Sequence, residues 1–60
     1  MDNRLIHASE VAEELGVSVP YAYKIVKELN EELKKMDYKV ISGKVSRKYF
    51  HERFYGKDDD

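Results

Sequence analysis

A glycine at position 16 separates two amphipathic stretches, and this break constrains the fold more than any other feature of the sequence. Before it, Val11, Ala12 and Leu15 form one apolar stripe at helical spacing, which predicts a helix over residues 8–15. After it, a longer stripe predicts a second helix that ends at about Met36. The members of this second stripe are Ala22, Ile25, Val26, Leu29, Leu33 and Met36. Glycine at a helix end favours a sharp corner, so we expect the two stripes to pack against each other.

The residues at the predicted helix ends fit this division. Glu10 stands where the glutamate of a capping box belongs, although the cap position holds His7 rather than Ser or Thr. We therefore interpret His7 as a substitute cap for the first helix. Ser18 offers a side-chain cap to the second helix, and Pro20 falls in its first turn, where a missing N–H is harmless.

The chain has 60 residues and no cysteine, so neither a disulfide nor a thiolate metal site can support it. A domain of this size buries only about 60% of the surface that its unfolded chain exposes. Its core must therefore come from aliphatic and aromatic side chains. We predict one core made of Val11, Ala12, Leu15, Val17, Ala22, Ile25, Val26, Leu29, Val40, Val45 and Phe50.

A β-hairpin is predicted after the second helix. Two short β-rich runs, Tyr38–Ile41 and Lys44–Ser46, are joined by Ser42-Gly43, and a two-residue loop with glycine is a hairpin signal. Centring the turn there places Val40 opposite Val45, so that both side chains can point into the core.

A short last helix is expected to begin after Ser46 and to end at about Phe54. Tyr49, Phe50 and Phe54 repeat at helical spacing and are expected to close the core, with His51 on the exposed face. The predicted fold class is mainly α with a small β-hairpin. Residues 1–57 would form this single domain, and residues 58–60 a disordered acidic tail.

The formal net charge of −1 hides a strong segregation of charge along the chain. Residues 1–18 carry one arginine against four acids, which gives −3. Residues 19–37 are balanced, and residues 38–57 carry six cations against Glu52 alone, which gives +5. For binding to nucleic acid, such a local patch matters more than the sum.

The segment from Ala8 to Val26 has the features of a helix-turn-helix. That motif needs a small residue where its helices cross, a glycine at the corner and apolar residues that fix the angle, and Ala12, Gly16 and Ala22 fit those positions. An ordinary pair of antiparallel helices with a glycine corner is the alternative.

In a helix-turn-helix, the start of the second helix faces the major groove of DNA. The candidate contacts on its exposed side are Ser18, Val19, Tyr21, Tyr23, Lys24 and Lys27. Alternatively, Lys24 and Lys27 lie on a solvated face beside Glu28 and Glu31. Tyr21 can equally lie at the rim of the core.

Basic residues flank the predicted hairpin, and three of them, Lys44, Arg47 and Lys48, are further candidate DNA contacts. A basic hairpin directly after a recognition helix is the wing of a winged helix-turn-helix, and Gly43 would let its tip approach another backbone closely. The alternative is a solvated hairpin whose lysines discourage aggregation of strand edges.

No residue pattern predicts catalysis, a cofactor or a metal site. His7 and His51 are isolated from each other and from any nucleophile, and the doublets Glu13-Glu14 and Glu31-Glu32 point their carboxylates about 100° apart on a helix. We therefore do not expect an enzyme. No apolar run approaches the roughly 18 residues of a membrane span and no signal peptide is evident, so we expect a cytoplasmic protein.

Two stretches of the sequence resemble the MerR-like excisionase family of small winged helix-turn-helix proteins from integrative elements and prophages. The first runs from Ala8 to Ser18 and continues with Tyr21-Ala22-Tyr23-Lys24-Ile25. The second, Ile41 to Phe50, is similar to the wing and closing helix of that family. The resemblance covers roughly residues 5–56.

The resemblance implies a protein without chemistry of its own that binds double-stranded DNA near attachment sites, often cooperatively, and bends it. It further implies that a tyrosine recombinase is biased toward excision, and that the protein associates with the bacterial nucleoid while bound. A small transcriptional regulator with the same fold is the first alternative. The second is a protein-interaction module that uses the rings of Tyr49, Phe50, Phe54 and Tyr55, provided that they form an exposed patch.

Overall fold

The computed structural model describes residues 4–56. Its elements are, in chain order, strand β1 (Leu5–His7), helix α1 (Ala8–Leu15), helix α2 (Val19–Lys35), strand β2 (Lys44–Ser46) and helix α3 (Arg47–Tyr55). The described part is therefore mainly helical, with one two-stranded antiparallel sheet. Residues 58–60, for which we predicted disorder, lie outside the described residues.

The corner between α1 and α2 forms as the sequence predicts. Gly16 has a φ of 70°, in the left-handed region, and its N–H donates to the carbonyl of Ala12. The N–H of Val17 donates to the same carbonyl at 3.0 Å. Ser18 then caps α2, since its Oγ accepts a hydrogen bond from the N–H of Tyr21 at 3.3 Å.

His7 caps α1, as predicted. Its Nδ1 accepts a hydrogen bond from the N–H of Ser9 at 3.0 Å, and its own N–H donates to Oε1 of Glu10 at 3.2 Å. Together these bonds form a capping box with histidine in the place of Ser or Thr. The cap also sets the direction of β1, which ends at the same histidine.

The sheet differs from the predicted hairpin. β2 pairs with the N-terminal strand β1, and Ile6 lies opposite Val45 with both side chains 1% exposed. The predicted strand Tyr38–Ile41 is wrong, because only Ile41 makes an isolated bridge to Lys44. The turn at Ser42-Gly43 is present, but it joins a loop to β2.

The end of α2 explains why residues 38–40 do not form a strand. Asp37 has a φ of 73°, and the N–H of Tyr38 donates to the carbonyl of Leu33 at 3.0 Å, so the chain wraps around the helix end in a Schellman motif. Ile6 takes the place beside Val45 that we expected Val40 to fill. Val40 is left half-buried at the edge of the core.

One cluster of side chains forms the core between the helices and the sheet. The buried apolar residues are Ile6, Ala8, Val11, Ala12, Ala22, Val26, Leu29, Leu33, Val45 and Phe50. Leu15, Val17, Ile25 and Val40 pack against them and are partly buried. The predicted core lacked Ile6, Ala8 and Leu33. Phe54, which we expected to help close the core, is 42% exposed.

A polar cluster fastens α3 to α2. Oε1 of Glu32 accepts hydrogen bonds from the hydroxyl of Tyr49 at 2.5 Å and from Nε of Arg53 at 2.9 Å, and its Oε2 accepts from Nη2 of Arg53 at 2.9 Å. The hydrogen bonds from Arg53, followed by the one from Tyr49, lower the pKa of Glu32 to about 2. The hydrogen bond to Glu32 raises the pKa of Tyr49.

Replacing Ala12 by Leu tests the crossing of α1 and α2. Ala12 is 5% exposed, so a larger side chain overpacks the crossing and lowers the free energy of unfolding by roughly 1–3 kcal/mol. Urea unfolding measures this change. The exposed neighbour Glu13 gives the matched control Glu13→Leu, which should stay within about 0.5 kcal/mol of the parent chain. Equal effects of the two substitutions would mean that the helices do not cross at Ala12.

The contribution of Glu32 to stability should vanish in acid. Its pKa is lower in the folded chain than the ordinary 4.5, so its ionised form stabilises the fold above that value. That contribution is lost as the pH falls through about 2. We expect Glu32→Gln to lower the unfolding midpoint in urea at pH 7, and the difference from the parent chain to disappear near pH 2. A difference that persists unchanged in acid would contradict this assignment.

Candidate nucleic-acid interface

A groove of about 470 Å³ lies between α2 and the turn that follows it. Tyr23, Lys27 and Lys34 line its helical side, and their spacing of four and seven residues places them on one face of α2. Ser42 and Gly43 of the turn line the other side. We call this the lysine groove. It combines two ammonium groups, a phenol and a hydroxyl, which are groups that contact a phosphate backbone, with the carboxylate of Glu31.

Gly43 fixes the turn beside α2. Its φ of 80° lies in the left-handed region, and its carbonyl accepts a hydrogen bond from the N–H of Ala8 at 3.0 Å. This bond satisfies an otherwise unpaired donor at the start of α1. The ring of Tyr23 lies against the turn and contacts His7 edge-on, with ring centroids 6.0 Å apart. The turn, α1 and α2 thus meet at Tyr23.

Asn30 ties the same turn to α2 from the inside. Its Nδ2 donates to the carbonyl of Ile41 at 3.1 Å and to the carbonyl of Lys44 at 2.8 Å. The side chain is buried, and its Oδ1 has no hydrogen-bond partner among the described residues. Two bonds from one buried amide hold the turn at both of its ends, so the lysine groove is preformed.

The structure separates the other residues predicted on the second helix. Val19 and Lys24 are exposed on α2, whereas Ser18 is engaged as its cap. Tyr21 is 53% exposed, but it lines a different groove together with Leu15, Val17, Ile25 and Phe54. Tyr21 therefore lines a different groove from Tyr23 and Lys27.

Two of the three cations predicted for the wing lie near one carboxylate, because Lys44 lines a groove with Glu10 and Arg47 is paired with Glu10. Lys44 lies in β2 opposite His7. Nη2 of Arg47 lies 3.6 Å from Oε1 of Glu10 and donates to the carbonyl of Leu5 at 3.4 Å, so this guanidinium also ties β1 to α1 and α3. Lys48 lines a separate groove on the other side of the sheet's end.

Charge is divided between the two flanks of α2. The flank that faces the turn carries Lys27 and Lys34 together with Glu31, which gives a net charge of +1. The opposite flank carries Glu28 and Glu32 at a spacing of four residues, and Glu32 is bound to α3. An anionic ligand is therefore attracted to the side of α2 that bears the turn.

The sequence did not assign several residues of the lysine groove to the candidate site, among them Glu31, Lys34 and Ser42. Lys34 stands seven residues after Lys27, and this spacing alone could have placed it on the same helix face. Ser42 was assigned only to the turn. Its position beside α2 depends on the bonds from Asn30, which no periodicity in the sequence indicates.

The aromatic residues near the C-terminus do not form one exposed patch. Phe50 is fully buried, and the hydroxyl of Tyr49 is bound to Glu32. Phe54 and Tyr55 are exposed, but the hydroxyl of Tyr55 donates to Oε2 of Glu14 at 3.2 Å, which also lies 3.7 Å from Nε2 of His51. These rings mainly fasten α3 to the other helices.

Two further findings concern residues 4–56. Within that range, no group of three or more histidine or carboxylate side chains is placed to hold a metal ion. No helix in the same range is long and apolar enough to cross a membrane.

The fold and its lysine groove are compatible with a small winged helix-turn-helix protein. Comparison with curated proteins finds the ICEBs1 excisionase of Bacillus subtilis (strain 168), which is 38% identical over 52 residues. The aligned region covers 87% of this chain and 81% of that protein. The chain therefore belongs to the family of this excisionase. No family model matches the chain, and no solved structure matches it significantly.

Substituting Gly43 tests the turn that bounds the lysine groove. A Cβ at this position would lie 3.5 Å from the Tyr23 ring, which is an ordinary contact, so the cost arises from the positive φ. We expect Gly43→Val to lower the free energy of unfolding by about 1–2 kcal/mol and to speed hydrogen exchange at the amide of Ala8. Gly43→Asn is the matched control, because asparagine tolerates this conformation better. Equal losses for Val and Asn would mean that backbone strain is not the cause.

Proposed function

We propose that this chain is a MerR-like winged helix-turn-helix excisionase that binds double-stranded DNA and acts as a recombination directionality factor. The observation that carries the proposal is the lysine groove. It places Lys27, Lys34 and Tyr23 of α2 beside the Ser42-Gly43 turn, with Glu31 as the one carboxylate among the described residues of its lining, on the flank of α2 that lies away from Glu28 and Glu32. The similarity to an excisionase supports DNA as the ligand of this flank.

The start of α2 supplies the residues that read base edges in this proposal. Val19 and Lys24 are exposed there, and an ammonium group at such a position reaches guanine acceptors in the major groove. Pro20 and the Ser18 cap fix the helix start, so these side chains are presented by rigid backbone. Tyr21 would contact DNA only at the margin of the interface, because it lines a different groove.

The lysine groove and its surroundings supply the phosphate contacts. Lys27 and Lys34 would flank the path of one DNA strand, and Lys44 of β2 would contact a phosphate from a separate groove that it lines with Glu10. Arg47 and Lys48 lie further along the chain, and Arg47 forms an ion pair with Glu10. Contacts of this kind orient a protein on DNA without reading its sequence.

The biological role that we propose has three parts. Copies bind neighbouring sites near attachment sequences cooperatively, they bend the DNA, and the bent complex biases a tyrosine recombinase toward excision. Regulation of transcription would use the same DNA surface. Loss of excision in cells that lack the chain, with transcription of neighbouring genes unchanged, would separate the first role from the second.

Fluorescence anisotropy on a cognate and a scrambled duplex, at several salt concentrations, tests the DNA proposal. With about four to six phosphate contacts per copy, log K should fall against log salt with a slope of roughly −4 to −5. Lys24→Ala should weaken the cognate duplex more than the scrambled one. Lys44→Ala should weaken both duplexes about equally and reduce the slope by about one unit.

Lys35→Ala is the matched control, because Lys35 is an exposed lysine of the same helix that lies outside the lysine groove. It should change neither the discrimination nor, beyond a small general charge effect, the affinity. A flat salt response would contradict DNA binding altogether. Discrimination that is lost in Lys44→Ala and kept in Lys24→Ala would reverse the roles assigned to the two lysines.

A further inference from the structure

A second groove, of about 490 Å³, lies behind the turn, between the end of α2, the loop that follows it and the start of α3. Four large apolar side chains on its wall are exposed to solvent: Leu5 at 38%, Met36 at 50%, Tyr38 at 62% and Ile41 at 54%. We call it the apolar groove. Monomeric proteins seldom expose apolar residues in such a cluster, and an exposed apolar patch with a polar rim marks an interaction site.

The wall of the apolar groove is held in place from inside the protein. Asn30 binds the carbonyl of Ile41, and the N–H of Tyr38 is bound to the carbonyl of Leu33 at the end of α2. The loop that carries Tyr38 and Ile41 is therefore attached at both ends. A partner would meet a preformed surface and would not have to order the loop, which lowers the cost of binding.

The rim of the apolar groove is basic. Lys39 and Lys48 line it, and Glu52 is its one carboxylate among the described residues. The lining thus carries a net charge of +1, whereas the whole chain carries −1. A partner that complements this surface combines apolar side chains with carboxylates.

We propose that the apolar groove binds an acidic amphipathic helix of a partner protein. The apolar face of that helix, at positions i, i+3, i+4 and i+7, would pack on Met36, Tyr38 and Ile41. Its flanking Asp and Glu side chains would pair with Lys39 and Lys48. The site is independent of the lysine groove, with which it shares only the inner residues Asn30 and Val40.

A second copy of the chain fits the apolar groove less well. α1 carries acidic residues on its surface, but it buries Val11 and Ala12 of its own apolar stripe. Glu10 and Glu14 are also engaged with Arg47 and with Tyr55. Glu13 of α1 is exposed, but the apolar residues next to it in α1, Val11 and Ala12, are buried and cannot pack in the groove of another copy. The partner is therefore a different protein.

Selection from a phage-displayed library of 16-residue helical peptides, without DNA present, tests this inference. We expect enriched peptides to be amphipathic and negatively charged. Labelled synthetic versions should bind the parent chain and lose at least tenfold in affinity to Ile41→Asp and severalfold to Lys39→Glu. Lys35→Glu is the matched charge reversal outside the groove and should stay within about twofold. Circular dichroism establishes that each variant is folded.

Three outcomes would overturn the inference. The first is that no peptide is enriched, or that the enriched peptides are basic. The second is binding that survives Ile41→Asp while that variant remains folded. The third is concentration-dependent dimerisation of the parent chain in sedimentation that Ile41→Asp abolishes, which would assign the groove to a second copy. Because the assay contains no DNA, failure of the proposed DNA binding leaves its result unaffected.

Discussion

The buried amide of Asn30 is the interaction on which the arrangement of the sheet and both grooves depends. Its Nδ2 donates to the carbonyls of Ile41 and Lys44, at the two ends of the turn, and so fixes the start of β2 relative to α2. A fixed β2 places Val45 against Ile6 in the core and lets the carbonyl of Gly43 reach the start of α1. Removing this amide would take away the donor that binds the carbonyl of Lys44 at 2.8 Å, whereas the carbonyl of Ile41 would keep its hydrogen bond from the N–H of Lys44. The penalty of an unpaired buried group exceeds the worth of a typical hydrogen bond.

A small core explains why so many polar contacts fasten the chain. Only ten apolar side chains are buried among residues 4–56, and Phe50 is the largest of those that are fully enclosed. α3 contributes little else to the core, and the cluster of Glu32, Tyr49 and Arg53 attaches it to α2. These groups are partly exposed, so each contact is screened by solvent. Their combined geometry orients α3, while the apolar core supplies most of the stability.

The sequence was sufficient to predict the helices and the side chains that pack between them. Gly16, Ser18 and the apolar stripes are local signals, and the structure agrees with them because helix ends and helix faces depend on near neighbours. The candidate site could be predicted only in part. Tyr23 and Lys27 were found because they lie on one face of one helix, whereas Tyr21 and Lys48 were grouped with them although each lines a different groove.

The errors arose where pairing depends on distant residues. β1 has only three residues, Leu5 to His7, and its pairing with β2 joins positions about 40 residues apart in the sequence. No period can reveal a strand of that length. The run Tyr38–Ile41 has strand-like composition, but the Schellman ending at Asp37 and the bonds from Asn30 direct it along the end of α2 instead. The path of that segment is determined by its hydrogen bonds and not by its composition.

The loop from Tyr38 to Gly43 connects the two proposed surfaces physically. Ser42 and Gly43 face the lysine groove, whereas Tyr38 and Ile41 face the apolar groove, and Asn30 holds the loop between them. A ligand shifts the loop only if it binds two positions of the loop with different affinities. A ligand that binds both positions equally well therefore leaves the other groove unchanged. Coupling between DNA and a partner helix would therefore require the loop to move and to break its hydrogen bonds with Asn30. Such a coupling would change the affinity for DNA and the affinity for the helix by the same factor. Since one buried amide holds both ends of the turn, the structure favours two surfaces that are occupied side by side with little influence on each other.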